Sequence, residues 1–122
     1  MDIKTYMEMA AKTDAPLDER IISSEELHNY HMTFGMFTEA AELADVFKKN
    51  MAYKKPIDWV NVKEEVGDLM WYIANFCRAN GFDLEEIMQT NIYKLAARYP
   101  NKFSENRANN RNLSVEREIL EK

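Results

Sequence analysis

The chain has 122 residues, 46% of them hydrophobic and 30% charged, a balance that suits one soluble globular domain and excludes wholesale disorder. Three glycines and three prolines are too few for the many turns of a β-sandwich or barrel, so long helices are expected. A net charge of −5 argues against binding to a nucleic-acid duplex, and Cys77, the single cysteine, excludes an internal disulfide and a cysteine-based zinc site.

The N-terminal residues Met1 to Glu8 have neither a basic region nor an apolar stretch and do not read as a signal peptide. No apolar run approaches the roughly 18 residues of a membrane span, so a cytoplasmic location and no membrane partner are expected. Residues 1–12 read as a short amphipathic helix ended by Thr13-Asp14-Ala15-Pro16. Ser23-Ser24-Glu25-Glu26 supplies a capping serine followed by acids that favour the positive end of the helix dipole. The helix it opens runs to about Asn50, with Met36, Ala40, Leu43 and Phe47 at helical spacing, and Gly35 marks a bend or a close helix contact.

Tyr53 to Asp58, with Pro56, reads as a connection. A further helix from about Trp59 to Asn80 carries Val62, Val66, Leu69, Ile73 and Phe76 on one side, with Gly81 as its stop. Asp83 caps the next, through Leu84, Ile87, Met88, Ile92 and Leu95 to Tyr99, where Pro100 ends it. Residues 1–104 thus read as one helical domain. Residues 105–122 read as a polar tail with a short helix around Val115–Leu120, too poor in apolar residues to pack alone. The basic residues gather in two places, Lys48, Lys49, Lys54 and Lys55, and Lys94 to Arg111, a pattern suited to a small polyanion.

Two acidic pairs carry the chemistry. Glu39 and Glu42, and Glu65 and Asp68, are each spaced i, i+3, so each pair shares one face of its helix. At about 100° per residue, Glu39 lies roughly 40° from Leu43, inside the apolar stripe, and Glu65 and Asp68 flank the stripe of the following helix. Antiparallel packing of two helices joined by a short connection would bring the four carboxylates together, and such a cluster needs protons or cations. Mg2+ suits it, being a hard cation that takes oxygen ligands and shares them with substrate phosphates; Mn2+ is a substitute. The bland alternative is a solvated acidic surface paired with nearby lysines. On the fourth helix Asn91, Lys94 and Arg98 fall within about 60° of one another, where the two cations would neutralise phosphate oxygens or complement the helix dipole.

The string Gly35-Met36-Phe37-Thr38-Glu39-Ala40-Ala41-Glu42-Leu43-Ala44-Asp45 resembles a family signature, as does Glu64-Glu65-Val66-Gly67-Asp68-Leu69-Met70-Trp71-Tyr72. Followed by Asn91, Lys94-Leu95, Arg98-Tyr99-Pro100 and Lys102-Phe103-Ser104, they resemble the MazG-like branch of the all-α nucleoside triphosphate pyrophosphohydrolases, over about His31 to Ser104. The resemblance implies an all-α antiparallel bundle completed by oligomerisation, as a homodimer or homotetramer. It also implies hydrolysis of nucleoside triphosphates to monophosphate and pyrophosphate. It implies metal ligation by Glu39, Glu42, Glu65 and Asp68, and nucleotide contacts at Asn91, Lys94, Arg98 and Tyr99, with His31 at a position common in the family. Glu42 is the first choice for general base, with Glu39 beside it, and Trp71 is a candidate for stacking on the base.

Two rivals remain at this level. A di-iron carboxylate bundle needs two Glu-x-x-His motifs, and only Glu25-x-x-His28 fits, outside the acidic pairs. A non-catalytic helical interaction module, as a degenerate family member, would use its acids only for solubility. Phe34, Phe37 and Trp71 lie off the main stripes and point to an interface between subunits.

Overall fold

The computed structural model describes residues 1–15 and 22–122; Pro16, the last residue of the breaker expected after the first helix, lies outside them. All regular structure among the described residues is helical: α1 Ile3–Ala11, α2 Ser24–Tyr53, α3 Trp59–Ala79, α4 Leu84–Arg98, α5 Glu105–Asn109 and α6 Leu113–Glu121. None of these helices is long and apolar enough to cross a membrane.

Each helix starts on an oxygen that the sequence places in front of it. Ser23 Oγ accepts from Glu26 N–H at 3.2 Å, and Asp58 and Asp83 each accept two backbone N–H groups at the heads of α3 and α4. Caps of this kind stabilise a helix by about 1 kcal/mol each. The end of α3 is a Schellman motif: Gly81 takes a φ of +68°, Phe82 N–H donates to Cys77 O at 2.9 Å, and the Phe82 ring closes on Phe76 at 6.1 Å. The end of α2 uses the same left-handed device without glycine, with Lys54 at a φ of 55°. That helix runs to Tyr53, past the expected Asn50.

The α2–α3 pairing is antiparallel, as the partners along it show. Asn29 and Asn80 exchange amide hydrogen bonds at 3.0 and 2.7 Å, His31 meets Tyr72 edge-on at 6.0 Å, and Phe47 meets Trp59 at 6.2 Å. At Gly35 the Tyr72 ring lies close against α2: a Cβ there would lie 2.1 Å from it. Gly35 therefore serves a close contact, because only a hydrogen fits under the ring.

The apolar interior is small. Met32 and Cys77 are the buried apolar side chains among the described residues, while Val66, Ile87, Met88 and Ile92 of the expected stripes stay exposed. The accessible surface is 10,416 Å2; a compact monomer of this mass exposes about 6,800 Å2. The second extensive pairing is α4 against α6, so the C-terminal helix lies on its own chain. Its buried Glu116 accepts from Arg98 Nε at 2.7 Å and Nη2 at 2.9 Å, and also from Arg111.

Candidate active site

Glu39 and Glu42 lie in the middle of α2, and Glu65 lies one and a half turns into α3. The antiparallel pairing brings one carboxylate oxygen of each within 4.8 Å of the others, the one such group of ligand-type side chains among the described residues. Glu65 is buried at 7% exposure, Glu39 is half-buried and Glu42 is exposed, so the cluster opens from the helix interface towards solvent. Burial first, then a hydrogen bond with Glu39 and the charges of Glu42, Glu39 and Glu64, push the Glu65 carboxyl up from 4.5 to about 7.

Three hard oxygen donors at this spacing suit a small divalent cation. Mg2+ at about 2.1 Å from each ligand holds oxygens up to roughly 4 Å apart, within a small side-chain adjustment of the arrangement present. Asp68 does not join the trio. It follows Glu65 by three residues, which turns it about 60° around the helix axis, out of the interface and onto an exposed face. His28 is outside the trio too, so no Glu-x-x-His pattern contributes to it.

A cavity of about 550 Å3 adjoins the acids and runs from Glu42 and Glu65 towards the α2–α3 turn, where Asp45, Lys49, Lys55, Asp58 and Asn61 line it. Its size falls in the usual range for a small-molecule site. Sequence reasoning put Lys49 and Lys55 in a basic group suited to a small polyanion but placed neither them nor Asn61 in the site with the acids. Helical spacing carried the signal: Lys49 lies seven residues after Glu42, within about 20° of it, and Asn61 precedes Glu65 by four. At the opposite side of the trio are the aromatic residues. Tyr72 sits between His31 and an edge-on Trp71 at 5.0 Å, and Trp71 is exposed.

The α4 residues fall elsewhere. Asn91, Lys94 and Tyr99 do not line the acidic cavity, and Arg98 lines a separate cavity of about 70 Å3 beside Glu116. Arg98 is engaged by that carboxylate and lies 5.6 Å over the Tyr99 ring. The sequence spacing put Arg98 near Lys94 but gave no sign of Glu116, 18 residues away.

Residues 29–103, more than half of the chain, match the MazG nucleotide pyrophosphohydrolase domain. The chain belongs to that family. The match contains all four carboxylates of the two acidic pairs and most of the α2–α3 hairpin and α4. The chain is also 31% identical over 72 residues to the Gene 37 protein of Mycobacterium phage L5, covering 56% of this chain and 63% of that relative, so the match spans less than two thirds of it. No solved structure matches the chain.

Proposed function

We propose that the protein is a Mg2+-dependent nucleotide pyrophosphohydrolase that cleaves (deoxy)nucleoside triphosphates between the α- and β-phosphates. The convergence of Glu39, Glu42 and Glu65 beside a cavity of about 550 Å3 carries this reading, in a chain of the MazG family. Glu39, Glu42 and Glu65 would hold the cation, with the exposed Asp68 as the fourth carboxylate. The bound cation would offset the charge of the acids, polarise the α-phosphate and make the attacking water more acidic.

The chain's own groups do the rest. Glu42 is the exposed member of the trio, and its second carboxylate oxygen would accept the water's proton as general base. The water oxygen bonds to the α-phosphorus, the bond to the bridging oxygen breaks, and pyrophosphate leaves with the electron pair. His31 and Trp71 offer faces to a base. A part in substrate binding for Asn91, Lys94, Arg98 and Tyr99 requires an assembly in which α4 of one copy lies against the hairpin of another, as a homodimer or homotetramer.

Incubation of the purified protein with Mg2+ and a panel of ribo- and deoxynucleoside triphosphates, with products separated by ion exchange, tests the reaction. Monophosphate and pyrophosphate, lost in EDTA, are expected. Diphosphate and inorganic phosphate would refute attack at the α-phosphorus. Glu42→Ala and Asp68→Ala should each lower turnover by roughly 10²-fold or more while helicity is retained. Wild-type turnover in both would remove these residues from the site.

A further inference from the structure

The acidic trio divides the α2–α3 hairpin into two unlike ends. Towards residues 31 and 72 the side chains are aromatic: His31, Tyr72 and Trp71. Towards the turn they are polar and of mixed charge: Lys49, Lys55 and Asn61, with Asp45 and Asp58, line the same cavity as Glu42 and Glu65. Asp58 is taken up as the cap of α3, where it accepts from Val60 and Asn61 N–H at 3.0 and 3.2 Å. Lys49 is held at 2.6 Å by Asp45, which also takes Lys48. Lys55 has no carboxylate partner among the described residues, and the side-chain amide of Asn61 makes no hydrogen bond among them.

Lys55 is also fixed by its backbone. Its N–H donates to Lys49 O at 3.4 Å, and its carbonyl accepts from Asn50 Nδ2 at 2.7 Å. The residue before it holds a left-handed backbone without being glycine, which costs about 1 kcal/mol. These bonds hold the Lys55 backbone beside the cavity that the residue lines. The donor set is then cation-binding oxygens at one end, and an unpaired ammonium with two free amide N–H donors at the other. Such a set fits an anion that reaches from a metal to a lysine.

We propose that the turn end of this cavity is the subsite for the pyrophosphate moiety of the substrate, with Lys55 and Asn61 as its direct contacts. This rests on the pyrophosphohydrolase reading and orients the nucleotide along the hairpin, base towards His31 and Tyr72, phosphates towards Lys55. Lysine acts here as a point charge on phosphate oxygens, and Asn61 donates from its amide.

Calorimetry of the full chain with Mg2+ and inorganic pyrophosphate tests the subsite without relying on turnover. Wild type should bind; Lys55→Gln should weaken binding roughly tenfold, Lys55→Arg should restore it, and affinity for a nucleoside monophosphate should not change. Equal pyrophosphate affinity in wild type and Lys55→Gln, or no binding by wild type, would overturn the proposal. So would unchanged pyrophosphate binding with an altered preference among bases, which would put the base at this end. Turnover is read separately: Lys55-dependent pyrophosphate binding without hydrolysis would keep the subsite and remove the proposed activity.

Discussion

Glu65 and Glu116 are the two buried acids among the described residues, and their surroundings act in opposite directions. Burial and neighbouring carboxylates raise the Glu65 carboxyl from 4.5 to about 7. The folded state therefore binds that proton more tightly than the unfolded chain. The resulting stability is fully present below pH 4.5 and is lost as pH rises through about 7. Glu116 is held down from 4.5 to about 2 by hydrogen bonds from Arg98 and then Arg111, so its contribution is present above 4.5 and lost as pH falls towards 2. Metal-free protein should accordingly be most stable near pH 5, with Tm falling by roughly 5 °C between pH 5 and 8. Glu65→Gln should flatten that upper limb, and millimolar Mg2+ should reverse it by binding the ionised folded form. A Tm that rises from pH 5 to 8 without metal would contradict the environment assigned to Glu65. Glu116→Ala, in contrast, strands two arginines and should lower Tm by roughly 10 °C at pH 7.

At the scale of the elements, two glycines in helix interiors should respond in opposite ways to the same substitution. A Cβ on Gly35 would lie 2.1–2.4 Å from ring atoms of Tyr72, which is itself flanked by His31 and Trp71. Gly35→Ala should cost about 1–3 kcal/mol by overpacking. A Cβ on Gly67 would meet nothing within 4 Å, so Gly67→Ala should gain about 0.5–1 kcal/mol from helix propensity. Chemical denaturation of both variants checks the pair. Equal effects would mean that α2 and α3 are not pressed together at Gly35.

These elements were legible in the sequence because capping residues and apolar spacing are local: Ser23, Asp83 and Gly81 stand where the structure uses them. The five-residue α5 escaped, being a single turn capped by Ser104 within a polar stretch. The acidic trio was legible through i, i+3 spacing, whereas the turn of Asp68 away from it was not, since spacing along one helix does not fix which of two neighbours faces the partner helix. The ion pair of Arg98 with Glu116 depends on how α6 lies on α4, and no local pattern encodes that.

At the scale of the whole molecule, the exposed surface is large for the mass. The single chain shows 10,416 Å2, roughly 3,600 Å2 more than a compact monomer of its mass. A standard protein interface covers only about 800 Å2 per partner, so an assembly that hides this excess must be extensive. Ile87, Met88 and Ile92 are exposed on α4, and Phe34, Phe37 and Trp71 are exposed on the hairpin. Light scattering should therefore give twice or four times 14.4 kDa, and a clean 14.4 kDa species would count against the assembly. Ile92→Glu sharpens the test. On a free monomer Ile92 is 58% exposed, and a surface substitution there should change stability by less than about 0.5 kcal/mol. Within an assembled bundle the same glutamate would be an unpaired buried charge, and the complex should fall apart to single chains that keep their helicity. If the variant scatters like wild type, α4 is not the covered face, and the nucleotide contacts proposed for Asn91, Lys94 and Tyr99 lose the assembly on which they depend.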